Sequence, residues 1–157
     1  MKKNDDYIYR KAANGNGNWQ RIGGRLKHVS VGPTGWVWGV NRNNQIYKCE
    51  KPCDRGWKEV NGRLKNVSGG KTKVWGTSHV GDVYHRPIDG SPSTPASTWT
   101  KVPSENGIKF NTISAVDPEN VWTTTANGDV YKCIKPCSHG TWEKVTRPSN
   151  MGLTTIN

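Results

Sequence analysis

Residues 46–53 read IYKCEKPC, and residues 130–137 read VYKCIKPC, beginning 84 positions later. Four thiols in two copies of one octamer could do three kinds of chemistry. Ligands from both pairs could converge on a tetrahedral zinc ion. A pair could cycle between thiol and disulfide, although that activity ordinarily uses Cys-x-x-Cys at a helix N-terminus, and the spacing here is Cys-x3-Cys. Each pair could instead close its own turn as a structural disulfide. The choice depends on the elements that carry the octamers.

Those elements repeat. Trp19, Trp57, Trp99 and Trp142 each open a W-x-x-(I/V) unit, WQRI, WKEV, WTKV and WEKV, at steps of 38, 42 and 43 residues. Between the first two lie GRLKHVSVG, WVWGVN and QIYKC; between the next two, GRLKNVSGG, VWGTS and DVYHR. The third interval keeps the order in degenerate form as FNTISAV, VWTTT and DVYKC. Each segment is short, rich in β-branched or aromatic residues and bounded by Gly, Asn, Asp or Pro, which predicts strands. No stretch holds a 3.6-residue period long enough for a helix.

In the first full unit strand a runs from Leu26 to Val31, b from Val37 to Asn41, c from Gln45 to Cys49 and d from Trp57 to Val60. Four strands in roughly 40 residues, repeated, predict an all-β propeller of four-stranded antiparallel blades. The b-to-c links NRNNQ, HVGD and ANGD have the Asn/Gly/Asp chemistry of hairpin turns. DYIYRK and NWQRI match strands c and d, and Leu153 to Ile156 matches the start of strand a. The expectation is one domain over 5–156, with units at about 5–22, 23–60, 61–102 and 103–145 and a further start at 150–157. It reads as about four repeats, incomplete at both ends: a piece of a longer propeller, or a chain that closes by sharing strands with itself or a second copy.

Composition fits such a fold with a small core. Leu, Ile, Val and Phe make up roughly a sixth of the chain, which with a net charge of +11 leans toward disorder. Eight Trp and five Tyr offset that, since each buried ring removes about 150–250 Å² from water. No apolar run reaches membrane-spanning length, and MKKNDDYIYR has no signal-peptide h-region. The basic balance predicts anionic partners. No nucleic-acid module spacing appears, and the basic residues are spread over all repeats, so no specific nucleic acid is expected.

The motif W-x-x-V-x-G-x-L-x-x-V-S-x-G, then V-W-G and D/Q-x-Y, resembles the tectonin repeat of tectonin-type β-propeller lectins, and YKCEKPC and YKCIKPC are most similar to the fish egg lectins. The resemblance covers about Asp5 to Ile156. It implies a non-catalytic, multivalent glycan-binding protein of innate defence that takes GlcNAc-containing glycans or lipopolysaccharide. The chain departs from that family, whose members typically have about six blades and a signal peptide. In addition, HRPIDGSPSTPAST replaces one cysteine turn.

Loops of an up-and-down meander alternate between two faces. The b-to-c and d-to-a face gathers Arg25, Asn41, Arg42, Asn44, Arg63, Thr77, His79, Asp82, Asn127 and Asp129, whose donors and acceptors suit sugar hydroxyls. Trp36, equivalent to Lys73 and Asn120, is a further stacking candidate. The recurring Trp38, Trp75 and Trp122, and the strand-d tryptophans, are expected to pack blade on blade. The four His are scattered, and no H-E-x-x-H, G-x-S-x-G or phosphate loop occurs, so no enzyme, cofactor or metal is expected; calcium dependence is open. Asn66-Val67-Ser68 is a sequon on an inner strand, hence a poor acceptor.

With that topology the cysteine pairs bracket c-to-d turns in different blades. Ligands on separate blades are not expected to converge on one zinc, and no helix is predicted there to activate a redox pair. Cys49–Cys53 and Cys133–Cys137 are therefore expected as local disulfides, which implies an oxidising compartment and a secreted protein. A scaffold for protein partners is the first alternative function, because fold does not fix function, and a basic surface for heparin or non-specific nucleic acid is the second.

Overall fold

The computed structural model describes residues 5–88 and 98–146. The described residues are all-β and form fourteen strands in four antiparallel sheets laid side by side. The first sheet pairs β1 (Tyr7–Arg10) with β2 (Gln20–Arg25). The second is β3 (His28–Val31), β4 (Trp36–Val40), β5 (Gln45–Glu50) and β6 (Lys58–Arg63). The third is β7 (Asn66–Gly69), β8 (Lys73–Thr77), β9 (Val83–Pro87) and β10 (Thr100–Lys101). The fourth is β11 (Thr112–Asp117), β12 (Asn120–Thr124), β13 (Val130–Cys133) and β14 (Trp142–Val145). The three four-stranded sheets are a-b-c-d blades in chain order and the first is a c-d pair, as the repeat predicts. Residues 153–156, expected as a further strand a, and residues 89–97 of the Ser/Pro-rich insertion lie outside the described residues.

The a strands are innermost, because β3 touches β7 and β7 touches β11. Their recurring Val-Ser places a hydroxyl at each junction. Ser30 Oγ accepts from Gly69 N at 3.0 Å, and Ser68 Oγ accepts from Ala115 N at 2.9 Å. Two residues earlier on the same strands, His28 Nε2 lies 2.8 Å from Val67 O and Asn66 Oδ1 accepts from Ile113 N at 3.1 Å. These bonds satisfy inner-strand backbone groups that would otherwise be buried unpaired, a loss of about 1–3 kcal/mol each.

The core lies between the sheets. Trp38, Val40, Ile46, Val60, Leu64, Val67 and Val74 form one cluster between the second and third. Trp75, Val83, Val102, Phe110, Ile113, Val121 and Trp142 belong to another between the third and fourth. Trp38 and Trp75 are fully buried, and at about 25 cal/mol per Å² each contributes about 4–6 kcal/mol of burial. Two of the recurring tryptophans depart from the blade-packing expectation. Trp19 is 66% exposed and Trp122 40% exposed. Trp19 sits on the first described sheet and Trp122 on the last, so neither has a described sheet against it on the side where Trp57 and Trp38 have one.

Both cysteine pairs are disulfides within their own turns, with Cα atoms 5.2 Å apart for Cys49–Cys53 and 5.3 Å for Cys133–Cys137. The third blade has Arg86 at the position of Cys49 and Cys133. Its buried guanidinium lies between the rings of Trp38 and Trp99, 6.0 and 5.7 Å from their centroids. The arginine thus contacts one indole of its own blade and one of the blade before, at the outer range of cation–π contact, where the other two blades carry a bridge within the turn.

Candidate functional site

The d strands run farther than the repeat motif predicts, and this extension builds the site. β6 reaches Arg63 rather than stopping at Val60, because a bulge between Gln45 and Ile46 lets Gln45 pair with Arg63. The same irregularity pairs Tyr7 with Arg25. Each bulge is made by a glycine with positive φ, Gly24 at 99° and Gly62 at 113°. The next blade's tryptophan rests on that glycine. A Cβ at Gly24 would lie 3.1 Å from Trp57 Cδ1, and one at Gly62 would lie 2.9 Å from Trp99 Cδ1. Each indole N–H also donates to the preceding blade, Trp57 to Gly23 O at 2.9 Å and Trp99 to Asn61 O at 2.8 Å.

Two equivalent grooves result, one at each of the first two junctions. The first is lined by Gly24, Arg25, Leu26, Asn41, Tyr47 and Trp57 and holds about 180 Å³. The second is lined by Gly62, Arg63, Leu64, Ser78, His79, Val80, Tyr84 and Trp99 and holds about 270 Å³. Position by position they match: Gly-Arg-Leu from one blade, Tyr and Trp from the next, and Asn41 or Ser78 at the end of strand b. Both fall below the roughly 300–1,000 Å³ of pockets for drug-sized ligands, a scale suited to one sugar ring. Apolar rings beside an arginine and short polar groups offer stacking and directed hydrogen bonds together.

The third junction is closed. Ile108 and Phe110 occupy the places of Gly62 and Leu64, on a longer d-to-a loop with a 3-10 turn at Glu105–Gly107. The Phe110 ring lies 4.9 Å from Trp142 and 5.6 Å from Tyr131, and Trp142 is buried with its indole N–H unpartnered. The space is filled by apolar side chains.

The expected loop residues divide. Arg25, Asn41, Arg63 and His79 line the grooves. Arg25 also donates to the Tyr7 hydroxyl at 2.9 Å, and Arg63 lies 3.6 Å from Glu59. Asn41 braces its own turn, accepting from Asn43 N and Gln45 N. Arg42 is ion-paired with Asp6, whose carboxyl it holds below the usual range, and Asn44 accepts from the Lys27 ammonium at 2.6 Å. Asp82 is clamped by Lys101 at 2.6 Å and Lys109 at 2.7 Å, which likewise hold its carboxyl low. Thr77 is fully buried and donates to Asn111 O at 3.1 Å, so its hydroxyl is not on the face. Asn127 and Asp129 border a separate recess beside Lys144, which pairs with Asp129 at 3.0 Å. Trp36 is half-buried beneath the Lys48 ammonium and pairs with Glu50 at the disulfide end of the sheet, away from the grooves.

Trp57, Trp99, Tyr47 and Tyr84 complete the grooves, and the repeat alone did not single them out as lining residues. A signal was present: glycine follows Trp19 and Trp57 at the same spacing, and Trp99 lacks it.

The Tectonin domain family model matches residues 1–151. Over 38 residues the chain is 47% identical to Lectin L6 of Tachypleus tridentatus, covering 24% of this chain and 17% of that protein. Over 33 residues it is 46% identical to Tectonin-1 of Physarum polycephalum, covering 21% and 15%. The matches thus span less than a fifth of either relative. Among solved structures, YCF48 bound to D1 peptide aligns with TM-score 0.58 at 16% identity, over 76% of this chain and 38% of that one. YCF48 from Cyanidioschyzon merolae aligns with TM-score 0.54 at 17% identity, over 90% and 53%. Human WBSCR16 aligns with TM-score 0.55 at 11% identity, over 74% and 35%. At these identities the structures support the propeller fold and nothing finer.

Proposed function

Because the chain belongs to the tectonin family, and is a lectin-like β-propeller protein, we propose that it is a non-catalytic, multivalent lectin for GlcNAc-type glycans or lipopolysaccharide. The observation that carries this reading is the duplicated groove. Trp57 with Tyr47, and Trp99 with Tyr84, stand beside Arg25 and Arg63 at equivalent inter-blade positions. Two weak sites on one rigid body gain avidity on a surface where the sugar is dense. The disulfides support an extracellular setting, and a role in defence at microbial surfaces follows from the same ligand class. The repeat units at about 5–22, 23–60, 61–102 and 103–145 are proposed as one domain, with copies of the chain able to associate through its outermost sheets.

A glycan array and a lipopolysaccharide-binding assay on the whole chain test this. Saturable binding to a GlcNAc-terminated glycan or to lipopolysaccharide is expected. Binding to neither, with a tight protein partner recovered instead, overturns the lectin reading in favour of a scaffold. That second reading rests on the fold alone, which this chain shares with YCF48 bound to D1 peptide.

A further inference from the structure

The innermost strands enter from the groove face, and the residue just before each is Lys27, Lys65 or Asn111. Their equivalence is fixed by the backbone: Lys27 N donates to Val40 O, Lys65 N to Thr77 O and Asn111 N to Thr124 O. Since the a strands line the axis, the three side chains surround its mouth on adjacent blades. The Lys27 ammonium donates to Asn44 Oδ1 at 2.6 Å and the Lys65 ammonium to Asn111 Oδ1 at 3.0 Å. Among the described residues neither ammonium has a carboxylate within 4.0 Å. Asp6 is the one carboxylate acting on Lys27 from farther off, and it is already paired with Arg42 and faces Arg25. The two lysines are close enough that the charge on Lys27 adds to burial in depressing Lys65.

We propose that Lys27 and Lys65 form an oxyanion site at the axial mouth that takes a phosphate group. The arrangement is a set of donors. With each amide oxygen turned to a lysine, the Nδ2 groups of Asn44 and Asn111 stand beside the ammoniums, and among the described residues neither ammonium has a carboxylate within 4.0 Å, Asp6 acting on Lys27 only from farther off. A tetrahedral oxyanion supplies several acceptors to such a set and relieves the repulsion between two like charges that the fold holds together. The site is distinct from the grooves and does not depend on their occupancy.

The whole chain, labelled to observe lysine side-chain amines by NMR, is titrated with inorganic phosphate, N-acetylglucosamine 1-phosphate and N-acetylglucosamine. Saturable shifts at Lys27 and Lys65 with both phosphates, and none with the neutral sugar, support the site. Tighter binding of the ester identifies a glycan phosphate as the source; equal binding identifies the free ion. The double substitution Lys27→Met and Lys65→Met weakens phosphate binding at least tenfold, while Lys101→Met leaves it unchanged. Asn44→Asp with Asn111→Asp, nearly isosteric, sets a carboxylate against each ammonium and gives the same loss even if the methionine variant folds poorly. Phosphate shifts spread over all lysines without saturation, or affinity unchanged in the aspartate variant, overturn the proposal.

Discussion

The indole of Trp99 approaches Gly62 so closely that a Cβ at that glycine would lie 2.9 Å from its Cδ1. Gly62 also has φ 113°, a conformation alanine resists. Gly62→Ala is therefore expected to lose about 1–3 kcal/mol from backbone strain and overpacking together, and to displace Trp99. Thermal unfolding should show a midpoint several degrees lower, with altered tryptophan fluorescence in the folded state. Gly24→Ala, where the approach to Trp57 is 3.1 Å, should show the same change in weaker form.

The proposed lectin should bind two monosaccharides per chain, one at each open groove. Calorimetric titration with N-acetylglucosamine checks the count. Arg25→Ala should remove the first site and Arg63→Ala the second, each leaving the other. A stoichiometry of three would mean that Ile108 and Phe110 yield to ligand.

The propeller was legible because its determinants are local and repeated. The W-x-x-(I/V) units, the Val-Ser of the inner strands and the Asn/Gly/Asp turns each recur in register, and each corresponds to a strand or turn of the structure. The grooves were only partly legible. Arg25 and Arg63 were visible as loop cations on the correct face. Asp82 and Arg42 were equally visible, yet each is held by a charge distant in sequence, Lys109 for one and Asp6 for the other. Trp57 and Trp99 read as packing residues because each does pack, with one side on glycine and the other lining a groove. Recurrence cannot separate those roles, since a duplicated binding residue recurs as faithfully as a duplicated core residue.

Removing either disulfide should be tolerated. Each closes a loop of about five residues, for which the chain-entropy relation gives about 2 kcal/mol. Cys49→Ser with Cys53→Ser, or Cys133→Ser with Cys137→Ser, should lower the thermal midpoint by about 4–8 °C with the far-ultraviolet circular dichroism retained. Loss of the fold from one such pair would assign these staples a larger role than loop closure.

Acidification should weaken the fold through His85. Burial, with Lys73 nearby, pushes its imidazole below the ordinary value of 6.5, and the ring packs 4.9 Å from Trp75. As pH falls through 6.5 the unfolded chain takes up a proton that folded His85 resists, so the unfolded state gains. The stability present above that pH is therefore lost progressively below it. Urea unfolding at pH 7.5 and 5.5 should show a decline that His85→Gln reduces. An undiminished decline in the variant would place the titration elsewhere.

Each groove draws its Trp and Tyr from one blade and its Gly-Arg from the blade before. A single blade therefore encodes two half-sites and no whole one. Duplicating the repeat in a gene would create a binding site at the new seam without any new functional residue, provided the seam keeps its glycine. Losing that glycine, as at Ile108, would silence the seam and leave the blade in place. Valence in this architecture is thus inherited by counting seams, and edited one glycine at a time.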